Sequence, residues 1–343
     1  MDMTFGSEGG NSGSNVNEAY IGLDFGSSNS SISYVEKSAI KVYRDRSKDQ
    51  NWLEFNDLLE VLPYPVAAPL AKYIASGNGK NQDSLALEAI EAFLGFAAFL
   101  SYCELCAIKG TEQTRFFKGF KQRSAGPLWA LLRETQKNIN SRSDFSKVYK
   151  RLLEEPFYSQ IDKAVSELAD FKHGKLSNDI DHFNILKILG NLTNQAMSGK
   201  IFGSFEDVSK LGFGKKGFSG QFRVAQGKNP PFIHRFSYEG IHSFSEEEIF
   251  VINLSTGIGI CLSPLYFWAQ NVVSKRTEFK QLYIYDINKM DEFSFKATDL
   301  SIPLKISSST EYNALFDHLK IMKDSDQEIA LYENINLQGS SQF

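Results

Sequence analysis

The chain contains few cysteines and few prolines, three and nine of them among 343 residues. Three cysteines cannot build a disulfide framework, which excludes the small disulfide-stapled secreted domains and fits a reducing cytoplasm. A hydrophobic share of 42% and a charged share of 23% are those of a folded protein and exclude collagen-like and disordered chains. The length predicts about two domains.

Long hydrophobic runs are missing as well. The most apolar stretch, Ala92–Cys103, holds twelve uncharged residues between Glu91 and Glu104, whereas a membrane span needs about 20. A core helix and no membrane span are therefore predicted. Residues 1–18 have neither the basic nor the apolar region of a signal peptide, and their Gly, Ser and Asn content predicts a flexible tail.

Motifs of several enzyme classes do not occur, among them GxSxG, HExxH and the Walker A pattern. Cys103 and Cys106 have the CxxC spacing of zinc and redox sites. No second cysteine pair or histidine pair completes four ligands. Because both cysteines lie at the end of an apolar helical pattern, two small residues on a buried helix face are predicted instead.

Successive patterns predict an α+β fold with an N-terminal β-hairpin element, a largely helical middle and a β-rich C-terminal part. Ile21, Leu23 and Phe25 alternate with polar or small residues, as strand residues do. Helices are predicted over 84–108, 128–139, 145–153, 158–171 and 179–197, and C-terminal strands over 249–254, 258–262 and 281–287. The expected organisation is a flexible tail (1–18), a β element (19–50), a helical domain (51–200), a β-rich domain (201–325) and a second flexible tail (326–343).

The N-terminal hairpin carries the clearest chemical signal, Ile21-Gly-Leu-Asp-Phe-Gly-Ser-Ser-Asn-Ser-Ser-Ile32. It resembles the first phosphate loop of the Hsp70/actin/sugar-kinase superfamily. In such a loop, glycines let the backbone approach a polyphosphate, amides and hydroxyls donate to its oxygens, and an aspartate holds hydrated Mg²⁺. The alternative is a hairpin turn with a strand-end aspartate. The resemblance implies that ATP or ADP with Mg²⁺ binds at Asp24, Gly26, Ser27, Ser28 and Asn29, with Asp24 reaching the metal through water.

A second phosphate loop, of Asp-Gly-Gly-Gly-Thr type, completes the nucleotide site in that superfamily. The nearest segment is Phe250–Ile260, which has Thr256 followed by Gly257. Asn253 stands where the aspartate is expected, and Leu254 and Ser255 stand where the superfamily has glycine. Loss of the second carboxylate weakens metal and water activation, so weak or no hydrolysis is expected. A plain hairpin turn is the favoured interpretation of this segment.

Positive charge is concentrated between Lys109 and Arg151, where eleven Lys and Arg stand against three acidic residues in a chain of net charge −4. Aromatic residues interleave with the cations, a composition that nucleic-acid surfaces use for phosphate contact and stacking. A solvated helix face or an interface with an acidic protein is the alternative. The residues proposed for this nucleic-acid or partner surface are Arg115, Lys118, Lys121 and Arg123.

Two short segments, Leu62–Ala67 and Ile260–Leu265, resemble segments of helical accessory regions in bacterial signalling and phage-defence proteins.

Taken together, these motifs predict a diverged Hsp70/actin-like nucleotide-binding protein with weak or no hydrolysis. We expect it to be a cytoplasmic component of a bacterial multi-protein system, with a protein partner. The alternative is a non-enzymatic interaction or nucleic-acid-binding component of a phage-defence or signalling system, which uses its basic helical surface.

Overall fold

The chain divides into two compact units, Met1–Glu54 and Phe55–Phe343. The computed structural model has a mixed α+β architecture, with helices in the middle of the chain and strands in its C-terminal part, as predicted. It describes residues 20–25, 30–36, 39–43, 50–76, 82–109, 123–139, 144–172, 181–211, 216–227, 232–240, 248–270, 280–289, 292–298, 303–306, 331–333 and 335–338.

The first unit contains a three-stranded antiparallel sheet in the order β1-β2-β3. Its strands are β1 (Tyr20–Phe25), β2 (Ser30–Glu36) and β3 (Ala39–Tyr43). Strands β1 and β2 pair in antiparallel register over six residue pairs. The strand, turn and strand that the alternating pattern predicts are therefore present, while residues 26–29 between the strands lie outside the described part of the chain.

The helical part begins at the boundary of the second unit and contains six α-helices and one 3-10 helix among the described residues. Each predicted helix is present, with ends shifted by a few residues or, for 147–153, with 3-10 geometry. The helices are α1 (Gln50–Val61), α2 (Tyr64–Ser76), α3 (Gln82–Lys109), α4 (Ala125–Asn138), the 3-10 helix (Lys147–Leu153), α5 (Phe157–Lys172) and α6 (His182–Met197).

Helix α3 is the central element of this layer, because α2, α4 and α6 all pack against it. Its residues 92–106 are buried on every side, which explains why its sequence is apolar all round. Among the described helices, α3 alone has the length and composition to cross a bilayer, and most of that window is buried inside the protein. The core helix that the sequence predicts is thus present.

Seven strands of the second unit form an antiparallel sheet in the order β13-β8-β7-β4-β5-β6-β14. The last two strands follow each other in sequence, yet they pair with β8 and β6, which the rest of the sheet keeps apart. The C-terminal segment therefore joins the two ends and closes the sheet. The strands are β4 (Lys200–Lys210), β5 (Phe218–Val224), β6 (Phe232–Tyr238), β7 (Ile249–Asn253), β8 (Ile258–Cys261), β13 (Leu331–Tyr332) and β14 (Ile335–Gln338).

A cluster of buried aromatic side chains packs the strands of this closed sheet together. The ring centroid of Phe205 lies 5.0 Å from that of Phe222 and 4.8 Å from that of Phe250. Tyr332, from the C-terminal segment, packs edge-on against Phe250 at 5.1 Å. The C-terminal segment thus contributes both backbone pairing and core packing.

A separate four-stranded antiparallel sheet has the order β12-β11-β10-β9. Aromatic rings pack across three of its strands. Phe267 stacks on Tyr283 and packs edge-on against Phe295. Its strands are β9 (Tyr266–Gln270), β10 (Lys280–Lys289), β11 (Glu292–Ala297) and β12 (Pro303–Ile306).

The structure differs from the predicted domain organisation at two places. Residues 55–343 form one compact unit, because α3 shares a core with both sheets: Phe96 lies 5.9 Å from Phe202 of β4 and 6.4 Å from Tyr266 of β9. The expected boundary between domains 51–200 and 201–325 is therefore not a boundary between cores. The segment 326–343, expected as a flexible tail, contains β13 and β14.

Candidate functional site

The backbone register of the N-terminal hairpin places Asp24 in the second-last residue pair of β1 and β2. Asp24 pairs with Ser31 across the two strands, and Phe25 with Ser30 forms the last pair before the turn. Four residues, 26–29, connect the two strands. Gly26, Ser27, Ser28 and Asn29 themselves lie outside the described residues.

The second candidate loop is a hairpin turn between β7 and β8 that uses its own polar groups. Asn253 Oδ1 accepts hydrogen bonds from the Ser255 amide at 3.0 Å, the Ser255 hydroxyl at 2.7 Å and the Thr256 amide at 3.4 Å. The Gly257 amide donates to the Asn253 carbonyl at 2.9 Å. An Asx-type turn of this kind stabilises a hairpin. The plain hairpin turn favoured from the sequence is therefore present, and these donors are already engaged.

The C-terminal segment covers the same turn. The amide of Ile335 donates to the carbonyl oxygen of Gly257 at 2.8 Å. Gly257 has a φ of +67°, and a Cβ added there would lie 2.6 Å from the carbonyl oxygen of Ile335. This position therefore requires glycine both for its backbone conformation and for its close approach to the last strand.

The four cations proposed for a nucleic-acid or partner surface are only partly within the described chain. Arg115, Lys118 and Lys121 lie outside the described residues. Arg123 is half-buried, and its amide donates to the Asp286 carbonyl on β10 at 2.6 Å. Its Nε is buried and has no hydrogen-bond partner among the described residues.

Arg123 also lies against α3 and β9. Its Nε is 3.5 Å from the position that a Cβ on Gly95 would take. Burial raises the pKa of Tyr266, and the positive charge of Arg123 acts in the opposite direction. These contacts fix the end of the basic segment to the core, so this arginine differs from a freely solvated surface cation.

A second group of cations in the same segment was not singled out from the sequence. Lys147, Lys150 and Arg151 lie on the 3-10 helix and are exposed. Among the described residues, neither lysine forms an ion pair or hydrogen bond. The sequence signal was the spacing of three between the two lysines, which places them on one row of a helix with three residues per turn.

A buried carboxylate holds the start of that 3-10 helix. Glu104 of α3 is 1% exposed, and its oxygens accept hydrogen bonds from the amides of Asp144 at 2.9 Å, Phe145 at 3.0 Å and Ser146 at 2.8 Å. The Ser146 hydroxyl also donates to it. Sequence reasoning treated Glu104 only as the end of an apolar run, because its partners lie about forty residues away.

The three thiols behave as core residues. Cys103, Cys106 and Cys261 are free and buried. Burial raises the pKa of Cys103 and of Cys261, so neither thiol is disposed to form the reactive thiolate. Among the described residues, no group of three His, Cys, Asp or Glu side chains is arranged to hold a metal ion. The buried-helix-face interpretation of the CxxC spacing is confirmed.

Comparisons of the chain with protein-family models, with curated proteins and with solved structures find no match. Two features carry the candidate chemistry of the chain: the N-terminal hairpin with Asp24 beside its turn, and the exposed cations of the 3-10 helix.

Proposed function

We propose that the N-terminal unit binds ATP or ADP with Mg²⁺ at the hairpin turn. The observation that carries the proposal is the register of β1 and β2, which sets Asp24 opposite Ser31 and leaves a connection of four residues. That is the strand-turn-strand arrangement in which a glycine-containing turn brings backbone amides close to a polyphosphate. The sequence of the connection, Gly26-Ser-Ser-Asn29, supplies amide and hydroxyl donors.

The residue types fit the group that they are proposed to hold. Mg²⁺ prefers oxygen ligands and keeps several of its waters, so a single carboxylate such as Asp24 suffices to bind it through water. When bound, the metal neutralises charge on the phosphate oxygens. Gly26 allows close approach of the backbone, and the hydroxyls of Ser27 and Ser28 donate to phosphate oxygens.

We further propose that bound nucleotide is hydrolysed weakly or not at all. Hydrolysis needs a group that orients or activates water in addition to the group that holds the metal. The β7–β8 turn, which is the sequence's nearest counterpart of a second phosphate loop, carries an amide at Asn253 instead of a carboxylate. Its Oδ1 is occupied by Ser255 and Thr256. This supports a binding role without turnover.

Thermal or denaturant unfolding with and without Mg²⁺ and nucleotide tests the proposal. A ligand present at about 100 times its dissociation constant adds roughly 2.7 kcal/mol to the free energy of unfolding. We expect this gain in the wild type and its loss in Asp24→Ala. Asp57→Ala, which removes an exposed carboxylate of α1, is the matched control and keeps the gain. An equal gain in Asp24→Ala would show that the nucleotide binds elsewhere.

A second candidate function is a non-enzymatic interaction component of a bacterial multi-protein system. The specific observation in its favour is the exposure of Lys147, Lys150 and Arg151 within the segment that carries the chain's surplus of positive charge. A cation surface of this kind attracts an acidic protein or a nucleic-acid backbone. It is compatible with nucleotide binding at the hairpin, because the two functions use different residues.

A further inference from the structure

The exposed face of the 3-10 helix presents three cations on a narrow strip. In a helix with three residues per turn, Lys147 and Lys150 fall on one row and Arg151 on the next. The third row, Tyr149 and Leu152, is fully buried. We name Lys147, Lys150 and Arg151, which together occupy the two neighbouring rows beside this buried one, the basic row.

The basic row stands on a rigid base. The Tyr149 hydroxyl donates to Thr193 Oγ1 on α6 at 3.2 Å, which fixes the buried side of the helix. Arg151 Nη1 donates to Gln195 Oε1 at 3.2 Å, so the guanidinium is held along α6. At the start of the helix, the buried Glu104 carboxylate fixes three successive amides. A backbone held in this way does not have to become ordered when a partner binds, which lowers the entropic cost of binding.

Charged groups on both sides of the basic row define the pattern that a partner must match. Exposed carboxylates precede and follow it, Asp144 on one side and Glu154 on the other. The next carboxylate, Glu155, accepts hydrogen bonds from the Ser159 hydroxyl at 2.7 Å and from its amide at 3.4 Å. Lys200 of β4 adds a half-buried cation nearby, with its Nζ 5.8 Å from the centroid of Phe145, and burial lowers its pKa.

We infer that the basic row is the docking surface for an acidic segment of a protein partner. This rests on the second proposed function and is independent of nucleotide binding. The neighbouring rings, Phe145 and Tyr149, are buried and offer no stacking platform for bases. The flanking carboxylates Asp144 and Glu154 repel a continuous phosphate backbone, whereas a protein segment can match alternating charge.

Fluorescence anisotropy of a short peptide, in which a run of glutamates is flanked on each side by arginines that face Asp144 and Glu154, tests the inference on the full chain, with a short DNA duplex for comparison. We expect the peptide to bind the wild type. Its affinity is expected to fall about tenfold in the triple variant Lys147→Ala/Lys150→Ala/Arg151→Ala. The matched control, Lys210→Ala/Lys216→Ala/Arg235→Ala, removes three exposed cations of the closed sheet and keeps the affinity. Because the substituted side chains are exposed, both variants are expected to unfold at the wild-type temperature.

Carbodiimide coupling of the bound peptide to lysine amines, mapped by mass spectrometry, locates the contact. Cross-links at Lys147 and Lys150 support the inference. Cross-links confined to Lys118 and Lys121 overturn it while the second proposed function stands. Equal loss of affinity in both triple variants, or tighter binding of duplex DNA through the basic row, also overturns it. If neither peptide nor DNA binds, the inference and the second proposed function both fail.

Discussion

Glu104 is the side chain that most clearly sets the position of the basic row. Its two carboxylate oxygens accept hydrogen bonds from the amides of residues 144–146 and from the Ser146 hydroxyl. Because Glu104 is only 1% exposed, water cannot take the place of this carboxylate as the acceptor. Gln136 extends the network by donating to Ser101 at 2.7 Å and to the Ser146 carbonyl at 3.0 Å. Buried polar networks of this kind stabilise one arrangement of the surrounding backbone.

Glu104→Ala is expected to destabilise the protein by about 3 kcal/mol, because several buried donors lose their acceptor at once. The measurement is the free energy of unfolding from denaturant titration. Glu154→Ala removes an exposed carboxylate just after the 3-10 helix and is expected to change it by less than about 0.5 kcal/mol. Similar small effects of both substitutions would show that the Glu104 contacts contribute little.

Substitution of Asn253 tests whether the β7–β8 turn only stabilises a hairpin or also takes part in binding phosphate. Asn253→Asp introduces the carboxylate that the resemblance to the Hsp70/actin/sugar-kinase superfamily leads us to expect at this position. An aspartate oxygen still accepts from Ser255 and Thr256, so we expect wild-type stability within about 1 kcal/mol. We also expect no increase in phosphate release from ATP. A clear gain of turnover in Asn253→Asp would show that the turn takes part in nucleotide chemistry.

The two C-terminal strands, β13 and β14, are the elements whose role is hardest to predict from the sequence. Leu331 and Tyr332 pair with β8, and four residues from Ile335 pair with β6, so a segment of eight residues closes the sheet. These contacts also remove two free strand edges, which are aggregation sites when left exposed. The segment therefore belongs to the fold and not to a flexible tail.

Gly257→Ala tests this closure at its tightest contact. The added Cβ meets the Ile335 carbonyl oxygen at 2.6 Å, and the positive φ disfavours alanine. We expect a loss of about 2 kcal/mol in the free energy of unfolding. Gly126→Ala, in the first turn of α4 with open space around it, is the control and is expected to be neutral or stabilising. Equal effects at both glycines would contradict the proposed closure.

Elements with strong local periodicity could be predicted from the sequence, and those made by distant pairing could not. The spacing of Leu87, Ile90 and Phe93 suffices to predict α3, because a helix satisfies its own backbone groups locally. In contrast, the short strands β13 and β14 form only because β8 and β6 supply their partners, far away in sequence. The ring of Phe96 likewise packs against that of Phe202, which joins a helix and a strand that the sequence pattern assigns to separate domains.

For the candidate sites too, features that depend on local sequence could be predicted, and features that depend on distant residues could not. The hairpin around Asp24 follows from alternation and turn residues, and its strand pairing is confirmed. The hairpin interpretation of Asn253 is confirmed because its hydrogen bonds are local. The exposed cations Lys147 and Lys150 do not stand out in the sequence, because they share a row only with the three residues per turn that the chain adopts there. Glu104 was missed since its partners are long-range.

For the molecule as a whole, we propose that the N-terminal unit binds nucleotide phosphate and that the second unit binds a partner. Isothermal titration of the full chain with ATP or ADP in the presence of Mg²⁺ tests the first proposal directly. We expect one binding site per chain, lost in Asp24→Ala and retained in Lys147→Ala/Lys150→Ala/Arg151→Ala. Absence of binding for every nucleoside di- and triphosphate, or unchanged binding in Asp24→Ala, would contradict nucleotide binding at the N-terminal hairpin.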